Sequence, residues 1–153
     1  MVAIFRLINL ALQSLLAMAV LGKLNRYSDT GLLLMRLGLG AMMLVVHGYP
    51  KIAGGPEKWA KLGSAMENIG IHSSFLLWGI MAWVAESVGG LFVLLGLFFR
   101  PACLLIMFTM FVAALHHLKG GDSLGTASHA IELFFVFLGL LFVGPGKYSV
   151  DKN

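Results

Sequence analysis

The stretch "SHAIELFFVFLGLLFVGPGKYSVD", Ser128 to Asp151, reads as a membrane-crossing helix with a hard stop. Its apolar body runs into Gly144-Pro145-Gly146, which does not continue a helix. Crossing a bilayer takes about 20 predominantly apolar residues, and the run Gly125–Val143 has that length. Two of its residues want water instead. His129 and Glu132 stand at i and i+3, so a helix carries both on one face. An imidazole and a carboxylate at membrane depth are costly. They belong against other polar groups in a bundle interior.

Moving outward, three more runs have the same character: Gly31–Tyr49, Phe75–Phe99 and Pro101–Leu118. Pro50 is expected to end the first, and Arg100-Pro101 to make a tight turn between the second and third. Composition agrees. The chain is 59% hydrophobic and 12% charged, against about 45–50% and 25% in soluble domains. The predicted class is all-α: an integral membrane four-helix bundle over residues 30–153, embedded in a lipid bilayer.

Two flanking pieces read as interfacial. "GGPEKWAKLGSAMENIG", Gly54 to Gly70, opens with Pro56 and Glu57 in a first helical turn. Trp59, Leu62, Met66 and Ile69 fall on one side, as in a helix lying at the membrane surface. Residues 1–29 form a separate N-terminal segment, and "AIFRLINLALQSLLAMAVLG" carries Arg6, Asn9 and Gln13 as a narrow polar stripe. An interfacial amphipathic helix is the expectation there. A fifth span, or a signal peptide cleaved near Ala17-Met18-Ala19, stays open.

The net charge of +4 does not point to nucleic acid, because the eleven Lys and Arg are scattered. Four spans put both ends on one side, with Arg6, Lys23, Arg26, Arg100, Lys147 and Lys152. Lys51, Lys58, Lys61 and Lys119 fall on the other. The balance of positive residues votes for cytoplasmic ends and, in a bacterium, the inner membrane. The single cysteine, Cys103, rules out dithiol cycling within this chain.

Each span carries one polar stripe. Arg36, Gly40, Met43 and His47 share a face in the first, and Glu86 sits mid-way along the second. Thr109, Ala113 and His116 share a face in the third, and His129, Glu132, Val136 and Gly139 in the fourth. Turning all four stripes inward satisfies them together. Counting depth from the ends predicts an Arg36–Glu86 ion pair. It also predicts a histidine-rich cavity near the opposite face, holding His47, His116, His129 and Glu132. His116 and His117 point about 100° apart, so only His116 is expected to face that cavity. His47, His116, His129 and Glu132 would make an N/O ligand set for a transition metal, though nothing in their spacing sets the distances. Bis-histidine haem fits poorly, because these histidines lie near helix ends. The nine methionines read as packing. No nucleophile elbow, phosphate loop or dinucleotide fingerprint is present.

Three pieces together resemble the DoxX family. "LLLMRLGLGAMMLVVHGYPKI" (Leu32–Ile52) looks like its opening signature and "AESVGGLFVLLGLFFRPA" (Ala85–Ala102) like its second. "GPGKYSVD" (Gly144–Asp151) looks like its close. The resemblance spans about residues 28–151. It implies a four-helix membrane bundle and brings Arg36, His47, Lys51 and Glu86 forward as polar positions, with His129 and Glu132 behind them. The family takes its name from a subunit of a thiosulfate:quinone oxidoreductase. Its relatives are described as partners in oxidoreductase complexes linked to thiol and superoxide defence, and more distant ones as assembly factors or cargo receptors.

Two functional expectations of different class follow. One is a subunit associated with an oxidoreductase system, partnered by other subunits or a second copy of itself. Its polar cavity would bind a quinone or another small lipophilic molecule, Glu86 or the His129–Glu132 pair would move protons, and Arg36 would hold an anionic group. The other is a non-catalytic scaffold or assembly factor whose buried polar residues set helix register. A small proton-coupled transporter is a third expectation.

Overall fold

The computed structural model describes residues 21–152 together with Arg6, Asn9, Leu10 and Gln13. Those four are helical and exposed; the rest of the N-terminal stretch, on which the interfacial helix, fifth span and signal peptide depend, lies outside the described residues. Among the described residues, four helices are long and apolar enough to cross a membrane. They are α1 (Lys23–Ile52), α3 (Phe75–Leu95), α4 (Phe99–Lys119) and α5 (Leu124–Val143). A short helix α2 (Gly55–Gly63) and a 3₁₀ turn (Ser64–Ile69) lie between α1 and α3. The chain is an all-α four-helix membrane bundle, as its hydrophobic runs demand.

α1 does not stop at Pro50. Its segment Met43–Gly48 is a π-helical stretch, after which Tyr49–Ile52 continues as α-helix. A proline interrupts a helix because it has no N–H for the carbonyl four residues back. Here the register has already slipped: the Tyr49 N–H bonds to the Leu44 carbonyl, five residues away. Pro50 therefore sits in a first turn that needs no donor. The consequence is positional, because Lys51 stays on the helix instead of leaving with a loop.

The helices pack in the order α1–α3–α4–α5, with α2 laid across α3. α1 meets α3 where both carry glycine: a Cβ on Gly40 would lie 2.7 Å from the Gly90 carbonyl. Small residues at such crossings let backbones touch without side chains between them. Val93, Phe99, Cys103, Ile106, Phe137 and Leu140 fill the core behind the crossing. α1 and α5 make no close backbone contact, and the space between them is where the polar groups gather.

At the end of the bundle that carries residues 144–152, the tail folds back and ties the helices together. Asp151 accepts from the backbone N–H groups of Phe98 (3.0 Å) and Phe99 (2.8 Å), and its own N–H donates to the Gly96 carbonyl (2.8 Å). Its carboxylate thus caps the start of α4 from 52 residues away and holds Phe98 in the left-handed region at φ 43°. Asp151→Ala should lower stability by about 1–2 kcal/mol, as expected for a lost helix cap. Unfolding of the detergent-solubilised variant against wild type measures it.

Candidate functional site

The site is built at the opposite end, where α1 finishes. Gly48 rests on Ser87, with room for no side chain between. That closeness lets Lys51, three residues on, reach across to Glu86. Nζ of Lys51 and Oε2 of Glu86 form an ion pair. Glu86 is only 3% exposed and Lys51 27%. A carboxylate so buried needs a counter-charge, and Lys51 supplies it. The pair is buttressed from behind: Trp59 Nε1 donates to the Lys51 carbonyl at 2.6 Å, and the Trp59 ring stacks on Trp83. Trp59 thus answers one of the open carbonyls at the end of α1 and pins α2 in place.

The pair forms part of the wall of an open cavity of about 630 Å³. Val46, Leu62, Met110 and Ala113 give it apolar sides. Four of the chain's five histidines border it: His47, His116, His117 and His129. So do Lys58 and Lys61 from α2. His47 and His129 close the gap between α1 and α5, with their Nε2 atoms 3.4 Å apart and their rings within 18° of parallel. An N–H on one ring can donate to a lone pair on the other across that distance, and the tautomer decides which ring donates. At the rim, His116 Nδ1 lies 3.3 Å from Asn68 Nδ2, and His117 Nδ1 lies 2.8 Å from Asp122 Oδ2.

Several expectations are corrected here. The Arg36–Glu86 pair does not form. Arg36 is 2% exposed and bound at the other end of the bundle, where Nη1 donates to the Pro145 carbonyl (2.7 Å) and Nη2 to the Tyr148 carbonyl (2.6 Å). The returning tail supplies neutral acceptors that helix periodicity does not reveal. Glu132 does not join the cavity either. It is exposed on the bundle surface, because residues i and i+3 are still about 60° apart around a helix and His129 sits at the cavity edge. His117 borders the cavity as well as His116, since the last turn of α4 lines its wide mouth. The four-ligand metal set of His47, His116, His129 and Glu132 is not assembled: among the described residues no three His, Cys, Asp or Glu side chains converge.

The structure does bring together His47, Lys51, Glu86, His116 and His129. It adds three residues to the site that the sequence had marked only for the apolar side of the surface helix or for topology: Trp59, which buttresses Lys51, and the exposed Lys58 and Lys61, which border the open cavity.

The DoxX family model matches residues 31–118, a span that includes Lys51, Glu86 and the α1–α3 crossing. The chain is also similar to the inner membrane protein YphA of Escherichia coli (strain K12). The two are 31% identical, over 84% of this chain and 97% of that protein. No solved structure matches.

Proposed function

The chain belongs to the DoxX family, and from that premise we propose that it is the membrane-embedded binding subunit of an oxidoreductase system. Its cavity holds a quinone or a similar small lipophilic molecule. The observation that carries this is the buried Lys51–Glu86 pair, set into an otherwise apolar wall beside linked histidines. A charged pair in such a place is expensive, and ligand handling is a reason to keep it.

The donor set fits a quinone. The Lys51 ammonium can donate to a ring carbonyl oxygen, and the apolar side chains Val46, Leu62 and Met110 suit its ring and tail. A bound quinone would supply the redox chemistry. The chain's own residues do the rest. Lys51 orients the polar edge, Glu86 holds Lys51, and the His47–His129 contact passes a proton between facing nitrogens. Electrons stay with the quinone and the partner subunits, because this chain brings a single, buried cysteine. The relative from Escherichia coli is named an inner membrane protein, and we assign this chain to the same membrane, ends inward.

The test is co-purification. Wild-type protein extracted into organic solvent should release quinone, read by ultraviolet absorbance before and after borohydride reduction. Glu86→Gln should retain about tenfold less, the value of one charge-assisted hydrogen bond. A folded but empty wild-type preparation overturns the reading. The scaffold reading would then stand, favoured by Arg36, whose hydrogen bonds all go to the chain's own tail.

A further inference from the structure

The charge inventory of the cavity is lopsided. Lys51, Lys58 and Lys61 border it, and among the described residues Glu86 is its one carboxylate. Glu86 is already spent on Lys51. The cavity therefore favours an anion. Behind the pair a narrower pocket of about 120 Å³ shares Lys51 and Glu86 with the main cavity. Trp78, Met81, Leu105 and Phe108 wall it, and the last three are well exposed on the outer faces of α3 and α4. In a membrane those faces meet acyl chains. The pair thus stands where a charged chamber meets an apolar crevice that opens to lipid.

We propose that this site binds an amphiphilic carboxylate, its acid group in the chamber and its apolar body in the crevice, and that binding takes up one proton at Glu86. The coupling follows from geometry. The Lys51 ammonium is the deepest positive charge of the chamber, and Glu86 holds it. An incoming carboxylate that takes Lys51 strips Glu86 of its counter-charge. An ionised carboxylate left alone at 3% exposure is untenable, so Glu86 takes a proton from bulk water. One anion and one proton enter, the ammonium changes partner, and the net charge of the site is unchanged.

The other titratable groups bordering the cavity are His47 from α1, Lys58 and Lys61 from α2, His116 and His117 from α4, and His129 from α5. The histidines can also exchange protons when an anion arrives. The signature of Glu86 is therefore the difference between wild type and Glu86→Gln. This inference rests on the cavity being a ligand site, and the experiment separates the two claims.

The probe is decanoate, with decanol as its neutral twin and empty discs as background. The protein sits in nanodiscs of phosphatidylcholine, and binding heats are compared in buffers of different ionisation enthalpy. Wild type should bind decanoate in preference to decanol and take up one more proton per anion than Glu86→Gln. Its affinity should fall with rising pH relative to that variant, by about tenfold per pH unit wherever a whole proton is taken up. Equal binding of decanoate and decanol, or an equal proton count in both proteins, overturns the inference and leaves the ligand site standing. Binding of neither probe overturns the inference and the ligand site together. If Glu86→Gln does not fold, wild type decides alone: uptake below half a proton overturns the proposal. Replacing part of the lipid with phosphatidylglycerol identifies the source of the acid. A decanoate affinity that falls with its fraction, beyond the fall in decanoate uptake by empty discs of the same lipid, makes a phosphodiester headgroup the occupant and overturns the carboxylate. An unchanged affinity supports the carboxylate.

Discussion

Lys51→Met is expected to destabilise the protein by about 3–5 kcal/mol, the cost of leaving a buried charge without its partner. Glu86 has almost no contact with solvent, whereas Lys51 is about a quarter exposed and can swing toward water. The two single substitutions should therefore be unequal. Glu86→Met frees a lysine that can rehydrate and should cost about 1–2 kcal/mol. The double variant removes both charges and should recover most of the stability lost in Lys51→Met. The penalty in Lys51→Met should also shrink on acidification, since a proton neutralises the orphaned carboxylate. Reversible unfolding in mixed micelles at two pH values measures all three proteins. Simple additivity of the single variants would show that the pair contributes no coupling.

Arg36→Met should cost a similar amount, about 3–5 kcal/mol, for a different reason. Its guanidinium feeds two carbonyls of the returning tail, Pro145 and Tyr148. Hydrogen bonds from a charged donor contribute about 1.5–3 kcal/mol each, and methionine supplies neither. Arg36→Lys should recover about half, because one ammonium lacks the flat fork that reaches both acceptors. The tail would loosen first, so trypsin should cut after Lys147 faster in Arg36→Met than in wild type. Unchanged cleavage and unchanged stability would show that Arg36 does not hold the tail.

The bundle was legible in the sequence because hydrocarbon leaves no freedom: an uninterrupted apolar run of bilayer length has one stable form. The crossing of α1 and α3 was not: Gly40 shares a helix face with Arg36 and His47, but nothing in that pattern names Gly90 as its partner. Nor was the choice of charge partners. Arg36 and Glu86 looked like a pair because depth was counted along straight helices, and opposite charges at similar depth attract. The acceptors Arg36 uses lie 109 and 112 residues away and are backbone carbonyls, which no side-chain pattern announces. Lys51 came forward only through family resemblance. Pro50 looked like the end of its helix, and no local pattern signals that a π-helical stretch will carry the chain past it. Glu132 was misjudged because its shared face with His129 was treated as a single direction, when the cavity accepts only the edge nearer His47.

The tail clasp also sets a timetable for biogenesis. Translation makes Arg36 more than a hundred residues before Pro145 and Tyr148. During that interval the first span must enter the bilayer carrying a guanidinium with none of its final acceptors, a burden of up to about 3 kcal/mol on insertion scales. Nascent α1 therefore reaches its final hydrogen bonding only when synthesis reaches the tail. A chain halted before residue 148 lacks at least one of the two carbonyls that Arg36 uses.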